Sequence, residues 1–242
     1  MSPAPSGPFE DFWAAGRTTP LTLRRLAARL AGYRAEGTGP DPFELPGGYH
    51  TLARPNDRLS RLFRRRRSDR GFTSAPLPGR RLGSVLAPLA EGETGRGYPS
   101  AGGLYPLRCY PLLLNVRHEL SGRVCRYEPA RHALQDVGAC PPWPELAPLL
   151  GAEPADGPGP QFVLVLVLAD APLLAKYGVR GGRYGLIEAG CAAQSVALRA
   201  AADGLGGYLL GAAADDAVLG LLDLAERDVR LAAAFAGGSP SP

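Results

Sequence analysis

Lys176 is the only lysine in this chain of 242 residues; Lys and Arg together number 27, and all the others are arginine. Tyr177 follows it directly. The two cation types differ in chemistry. A guanidinium stays charged under ordinary conditions, whereas a lysine in a dry pocket can lose its proton and act as a base. A phenol can donate or accept a proton, and a cation beside it favours the phenolate. Taken alone, the pair reads equally well as a base with a tuning neighbour or as a surface lysine beside a packing aromatic.

Three further stretches could bind rather than react. In RRRRSDRGF, residues 64–72, the pattern Arg66-x-Ser68-x-Arg70 puts two guanidinium forks and a hydroxyl on one side of an extended segment. That arrangement suits a phosphate or a polarised carbonyl. The run also reads as a solvated basic cluster or a nucleic-acid patch, but no aromatic residues interleave it and no nucleic-acid module surrounds it. Pro99, Ser100, Ala101, Gly102 and Gly103 have almost no side-chain bulk, so a flat ligand could lie against bare backbone there. Gln194 falls on an apolar helical stripe with Leu186, Ile187, Gly190, Cys191, Ala197, Leu198 and Ala201. A buried amide needs a partner, from the core or from a ligand.

The elements that must position these residues follow from periodicity. Helices are expected over 21–33, from Asn56 as cap through Phe63, over 79–90, over 184–202 and over 214–222. Strands are expected over 107–116, 123–127, 162–169, 208–210 and 230–235. Pro111 argues for an edge or a bulge. Phe162–Ala169 is unbroken apolar sequence, a fully buried strand too short to span a bilayer. Residues 1–56 read as an N-terminal arm and short helix, with Phe9, Phe12 and Trp13 as a docking spot. Residues 57–236 read as one domain, and 237–242 as a frayed tail.

Composition narrows the class. Apolar residues make up 45% and charged residues 21%, as in a globular protein able to bury a full core. The four cysteines and three histidines lack metal-ligand spacing, which fits a reducing cytoplasm and no metal site. The opening MSPAPSGPFEDFW has no basic start and apolar core, so it does not read as a secretory signal.

Four stretches, in this order, carry a family resemblance: RRSDRGF (66–72), YPSAGGLYPL (98–107), KYGVRGGRYGLIEAG (176–190) and DGLGG (203–207). With them the chain resembles the nitroreductase superfamily, and within it the SagB-type dehydrogenases that oxidise azolines in thiazole- and oxazole-containing peptides. The resemblance implies an α+β fold with a central antiparallel sheet wrapped by helices. It implies a homodimer, with a C-terminal strand exchanged between subunits and FMN at the interface. Arg66, Ser68 and Arg70 would hold the phosphate, ribityl chain and pyrimidine edge. Pro99 to Gly103 would line the ring, Leu205, Gly206 and Gly207 would offer backbone amides, and Gln194 would fall near the cofactor. Lys176 and Tyr177 match the pair regarded as catalytic, one removing a proton while its neighbour tunes it. The implied partners are an azoline-containing precursor peptide and cyclodehydratase proteins, with no nucleic acid and no membrane.

Two positions depart from the pattern. No basic residue follows Arg230, where relatives often carry one that reaches the phosphate, so either Arg230 itself or the Arg64–Arg67 cluster would take that contact, or FMN would be held less tightly. Cys191 stands where many relatives have histidine. The other functions compatible with the resemblance are oxidation of carrier-bound thiazolines, reduction of small nitro compounds, and a non-catalytic scaffold of a modification complex.

Overall fold

The computed structural model describes residues 7–32, 47, 50–153, 157–225 and 228–242. Most of the Gly/Pro-rich stretch 37–56 lies outside these. In the N-terminal part come α1 (Pro8–Gly16), α2 (Pro20–Gly32), α3 (Arg58–Arg65), β1 (Leu77–Pro78) and α4 (Gly79–Leu86). The middle holds β2 (Leu107–Leu113), β3 (Val116–Arg117), β4 (Arg123–Glu128), β5 (Ala133–Ala139) and α5 (Trp143–Leu149). The rest is β6 (Phe162–Leu168), α6 (Ala171–Tyr177), α7 (Arg180–Ala202), β7 (Gly206–Leu210), α8 (Asp215–Leu221) and β8 (Arg230–Gly238).

Six strands form one antiparallel sheet in the order β5-β4-β2-β6-β8-β7. β6 is buried at every position, as its apolar run requires. Its side chains alternate between two cores. Phe162, Leu164, Leu166 and Leu168 pack with α4 and α7 residues such as Leu82, Val85, Ala192 and Val196. Val163, Val165 and Val167 pack with Leu146, Leu150, Val218 and Leu219 on the opposite face. The α+β architecture expected from the resemblance, a central antiparallel sheet wrapped by helices, is therefore present.

Several local expectations change. Asp57, not Asn56, caps α3: its carboxylate accepts the Ser60 backbone N–H at 2.7 Å. Pro111 is not on an edge strand, because β2 lies between β4 and β6 and pairs Pro111 with Leu164. The ladder toward β4 records one pair, Leu112 with Val124, which leaves room for a residue that has no N–H to donate.

In this single chain β8 does not leave the sheet. It is inserted between β6 and β7 of its own chain, with Ala234 and Ala236 in one core and Phe235 in the other. The tail does not fray either. Gly237 and Gly238 continue β8, and the next residues are hydrogen-bonded. Ser239 N–H donates to Gln161 Oε1 at 2.5 Å, Thr73 N–H to the Ser239 carbonyl at 3.0 Å, and Ser241 N–H to the Gly71 carbonyl at 3.1 Å.

The N-terminal arm contains a helix ahead of the expected one, α1. Phe9 of α1 is buried, and its ring fills the space where a Cβ on Gly182 of α7 would lie. Phe12 remains exposed and Trp13 is half-buried.

Candidate active site

Sheet register puts the candidate residues in two groups at opposite ends of the strands. Leu107 pairs with Leu168, so the segment leading into β2 and the helix following β6 meet at one end. Gly207 and Phe162 both pair with Gly237, so the start of β7 lies at the other end. Six residue steps along β6 separate the two levels, roughly 20 Å at about 3.3 Å per residue. α7 runs between them: Gly185 packs on Leu168, and Leu205 follows its far end.

The first group joins two predicted motifs. A Cβ placed on Gly102 would overlap Lys176 Nζ and lie 2.5 Å from the Tyr177 hydroxyl oxygen. The ammonium and the phenol thus converge on the bare backbone of Gly102. Lys176 and Tyr177 end α6, and Gly178, with φ 57°, stops that helix by turning the chain left-handed. The Tyr177 ring meets Tyr184 edge-on, with centroids 5.2 Å apart, and the Lys176 ammonium lies 5.3 Å from the Tyr177 ring centroid. Lys176 is exposed in the single chain, so the dry pocket that would make it a base is not built by this chain alone.

Segment 99–105 has an unusual conformation. Gly102, Gly103 and the non-glycine Tyr105 have φ of 63°, 68° and 45°. It is anchored by a carboxylate that sequence reasoning overlooked. Glu188 of α7, 2% exposed, accepts from Ser100 Oγ at 2.6 Å, and Ser100 Oγ accepts the Tyr105 backbone N–H at 2.8 Å. Burial pushes the Glu188 carboxyl above its usual range, against the pull of the Ser100 hydrogen bond and the nearby Arg96 guanidinium. The signal was legible: Glu188 is the only charged residue between Tyr184 and Leu198.

The second group joins the other two motifs. Ser68 bridges Gly207 in parallel, and Asp69 N–H donates to the Gly207 carbonyl at 3.2 Å. The Arg70 guanidinium lies 5.0 Å from the Tyr208 ring centroid. Gly206 has no room for a Cβ, which would sit 2.7 Å from that of Asp69. Arg66 is half-buried where α3 ends, and Ser68 and Arg70 are exposed. Ser68 to Arg70 thus run beside Gly206 to Tyr208, with Arg66 two residues ahead of Ser68, and the guanidinium, hydroxyl and backbone groups of this cradle are a donor set that fits a phosphorylated flavin.

Two expectations fail here. Arg230 cannot serve this cradle: it pairs with Leu168 at the opposite end and donates to Asp170 Oδ2 at 3.2 Å. The arginines at positions 64–67, or looser binding of FMN, remain. Gln194 is not buried either. α7 packs on the sheet through Gly185, Glu188, Ala189, Ala192, Val196 and Ala200. The stripe read from sequence is largely the opposite face: Ile187, Gly190 and Gln194 are exposed, Leu186, Cys191, Ala197 and Leu198 are half-exposed, and Ala201 is buried. A helix built of Ala and Gly presents little bulk on any side, so periodicity did not distinguish the two faces.

The nitroreductase family pattern matches residues 63–238. The chain belongs to the nitroreductase family. It is 32% identical over 179 residues to MJ1384 of Methanocaldococcus jannaschii, a protein with a provisional nitroreductase name, covering 70% of this chain and 86% of that one. It is 30% identical over 141 residues to the Escherichia coli microcin B17-processing protein McbC, covering 57% of this chain and 52% of McbC. Among solved structures, the E. coli microcin synthetase McbBCD complex with truncated pro-MccB17 bound has a chain matching with TM-score 0.73 and 25% identity, over 96% of this chain and 91% of that one. A nitroreductase-family protein from Desulfovibrio desulfuricans in complex with FMN shares the fold, with TM-score 0.50 and 20% identity over 78% of this chain and 89% of that one. These similarities bear out the SagB-type resemblance of the four motifs. This nitroreductase-family chain is an oxidoreductase by family, and among its described residues no helix is long and apolar enough to cross a membrane.

Proposed function

We propose that this protein is an FMN-dependent dehydrogenase that oxidises thiazoline or oxazoline rings of a ribosomally made peptide to thiazole or oxazole. The observation that carries the reading is the convergence of Lys176 Nζ and Tyr177 OH on Gly102. Aromatising an azoline removes a hydride from one ring atom and a proton from its neighbour, so a base must stand beside a flat ring. FMN would supply the two-electron acceptor. The chain supplies the rest. Tyr177 or Lys176 takes the proton while the other steadies the charge that results. Gly102, lacking a side chain, lets the flat ring approach that pair. Arg66, Ser68 and Arg70, with the Leu205 to Gly207 backbone, would hold the phosphate and the polar edge of FMN.

The protein would act as a homodimer. The two groups stand about 20 Å apart in one chain, and neither Lys176 nor Arg66 lines the cavity of about 480 Å³ behind segment 99–105. A second copy seated on the open α7 face around Ile187, 57% exposed, would cover apolar surface and dry the lysine. Similarity to McbC and to a chain of the McbBCD complex supports a peptide substrate and work within a multiprotein complex.

The test uses purified, flavin-loaded protein and a peptide carrying a thiazoline. Wild type should remove about two daltons per ring by mass spectrometry, the mass of a hydride plus a proton. Lys176→Ala and Tyr177→Phe should keep the flavin absorption band and lose the mass change. A yellow wild type that leaves every azoline intact but reduces nitroaromatics would replace this reading with that of a small-molecule reductase. A colourless protein would leave a scaffold.

A further inference from the structure

A buried carboxylate needs a reason, because taking the ionised group out of water is unfavourable and an apolar side chain would pack the same space. Glu188 has that position on the sheet-facing side of α7. Its Oε2 holds Ser100 Oγ, the Ala101 backbone N–H also points at the carboxylate, and Oε1 has no partner among the described residues. Ser100 in turn holds the Tyr105 N–H. The anchored segment contains three left-handed residues, one of which, Tyr105, is not glycine. A non-glycine residue in that region is unfavourable by about 1–2 kcal/mol. The segment therefore needs outside restraint to keep this shape: the chain from Glu188 through Ser100 holds the Tyr105 N–H, while Arg108 holds the Tyr105 carbonyl and Arg96 its side chain.

We propose that Glu188 is a positioning residue for the reaction: through Ser100 it holds segment 100–105 in its left-handed path and so keeps Gly102 opposite Lys176 and Tyr177. This rests on the reading of Lys176 and Tyr177 as the reacting pair. Glu188 touches neither substrate nor acceptor in this scheme. It acts on the distance between the flat backbone and the base.

The experiment compares wild type, Glu188→Ala, Glu188→Gln and Ser100→Ala as full-length, flavin-loaded proteins. Amide hydrogen exchange over residues 101–105 is read beside kcat and KM on the azoline peptide. Glu188→Ala and Ser100→Ala should each speed exchange at Tyr105 about tenfold, the effect of losing one structural hydrogen bond, while exchange in β6 stays as in wild type. Both should lower kcat about tenfold or more with little change in KM. Glu188→Gln keeps an acceptor oxygen for Ser100 and should stay within about threefold of wild type in both readouts. Unchanged exchange at Tyr105 in Glu188→Ala and Ser100→Ala would overturn the restraint even in an active enzyme. Faster exchange equally spread over β6 would overturn it too, by making Glu188 a general stability residue. If wild type oxidises no azoline while Tyr105 exchange still rises selectively in both variants, the azoline reading falls and the restraint stands.

Discussion

Gly102 and Lys176 touch so closely that no side chain fits between them: a Cβ on the glycine would overlap the ammonium. Gly103 beside it is equally left-handed, with φ 68°, yet a Cβ there would meet nothing within 4 Å. The two glycines therefore separate backbone strain from site geometry. Gly102→Ala should retain flavin and lose turnover by about a hundredfold, because the pair is pushed aside. Gly103→Ala carries only the strain, about 1 kcal/mol, and should keep turnover within severalfold. Flavin absorbance and steady-state rates on the two variants check this.

Glu188 also makes a prediction about pH. Burial raises its folded-state pKa above the ordinary carboxylate value. Between those two values the native state holds a proton that the unfolded state has released. Its contribution to stability is therefore full below the ordinary value and is lost as pH rises through the folded one. Glu188→Gln cannot ionise and escapes that loss. The melting temperature of Glu188→Gln minus that of wild type should be more positive at about pH 8 than at about pH 4. Asp215, raised in the same direction by burial, is present in both proteins and cancels in the difference. An equal or falling difference from thermal melts would count against the raised pKa.

Arg230 holds Asp170, which is 1% exposed and lies just ahead of α6. Arg230→Ala would strand a buried carboxylate at the base of the helix that ends in Lys176 and Tyr177. Urea unfolding should show a loss of about 2–4 kcal/mol. Flavin content at saturating FMN should not change, because the phosphate cradle is at the other end of the sheet. Weakened flavin retention in this variant would mean that Arg230 reaches the cofactor after all.

Gln161, fully buried, ties three segments together. Its Nε2 donates to the carbonyls of Thr73 and Ala75, both at 2.9 Å, while its Oε1 accepts from Ser239. Gln161→Leu should cost about 2–4 kcal/mol in urea unfolding, because two carbonyls and an N–H lose their partner. The variant should also release the tail, seen as faster exchange at Ser239, and weaken FMN binding. That last effect follows because residues 239–241 bond to residues 71–73, just past Arg70. A fluorescence titration with FMN measures it.

Legibility in the sequence differed by the kind of signal. Candidate groups marked by residue type in a short pattern were readable: the lone lysine, the alternating Arg66, Ser68 and Arg70, and the small residues from Pro99 to Gly103. The buried strand Phe162 to Leu168 was readable as well, because an unbroken apolar run is stable only inside. Burial of a particular helix face was not. Gln194 and Glu188 lie on one helix of mostly small residues, and which of them turns inward depends on the sheet and on Ser100, both distant in sequence. Pro111 misled for a similar reason. Its missing N–H forbids a bond toward one neighbour only, and pairing decides whether that neighbour needs it.

The amino-acid order by itself determined the inventory: which groups can move a proton, which can hold a phosphate, which segments must be buried and which family the motifs resemble. Tertiary structure alone decided the grouping. Antiparallel pairing of β2 with β6 brings Gly102 to Lys176 and Tyr177, and pairing of β7 with β8 carries the arginine cradle to the far end. Strand register is a long-range choice, set by how whole faces pack, and no local pattern encodes the distance between two loops at opposite ends of a sheet.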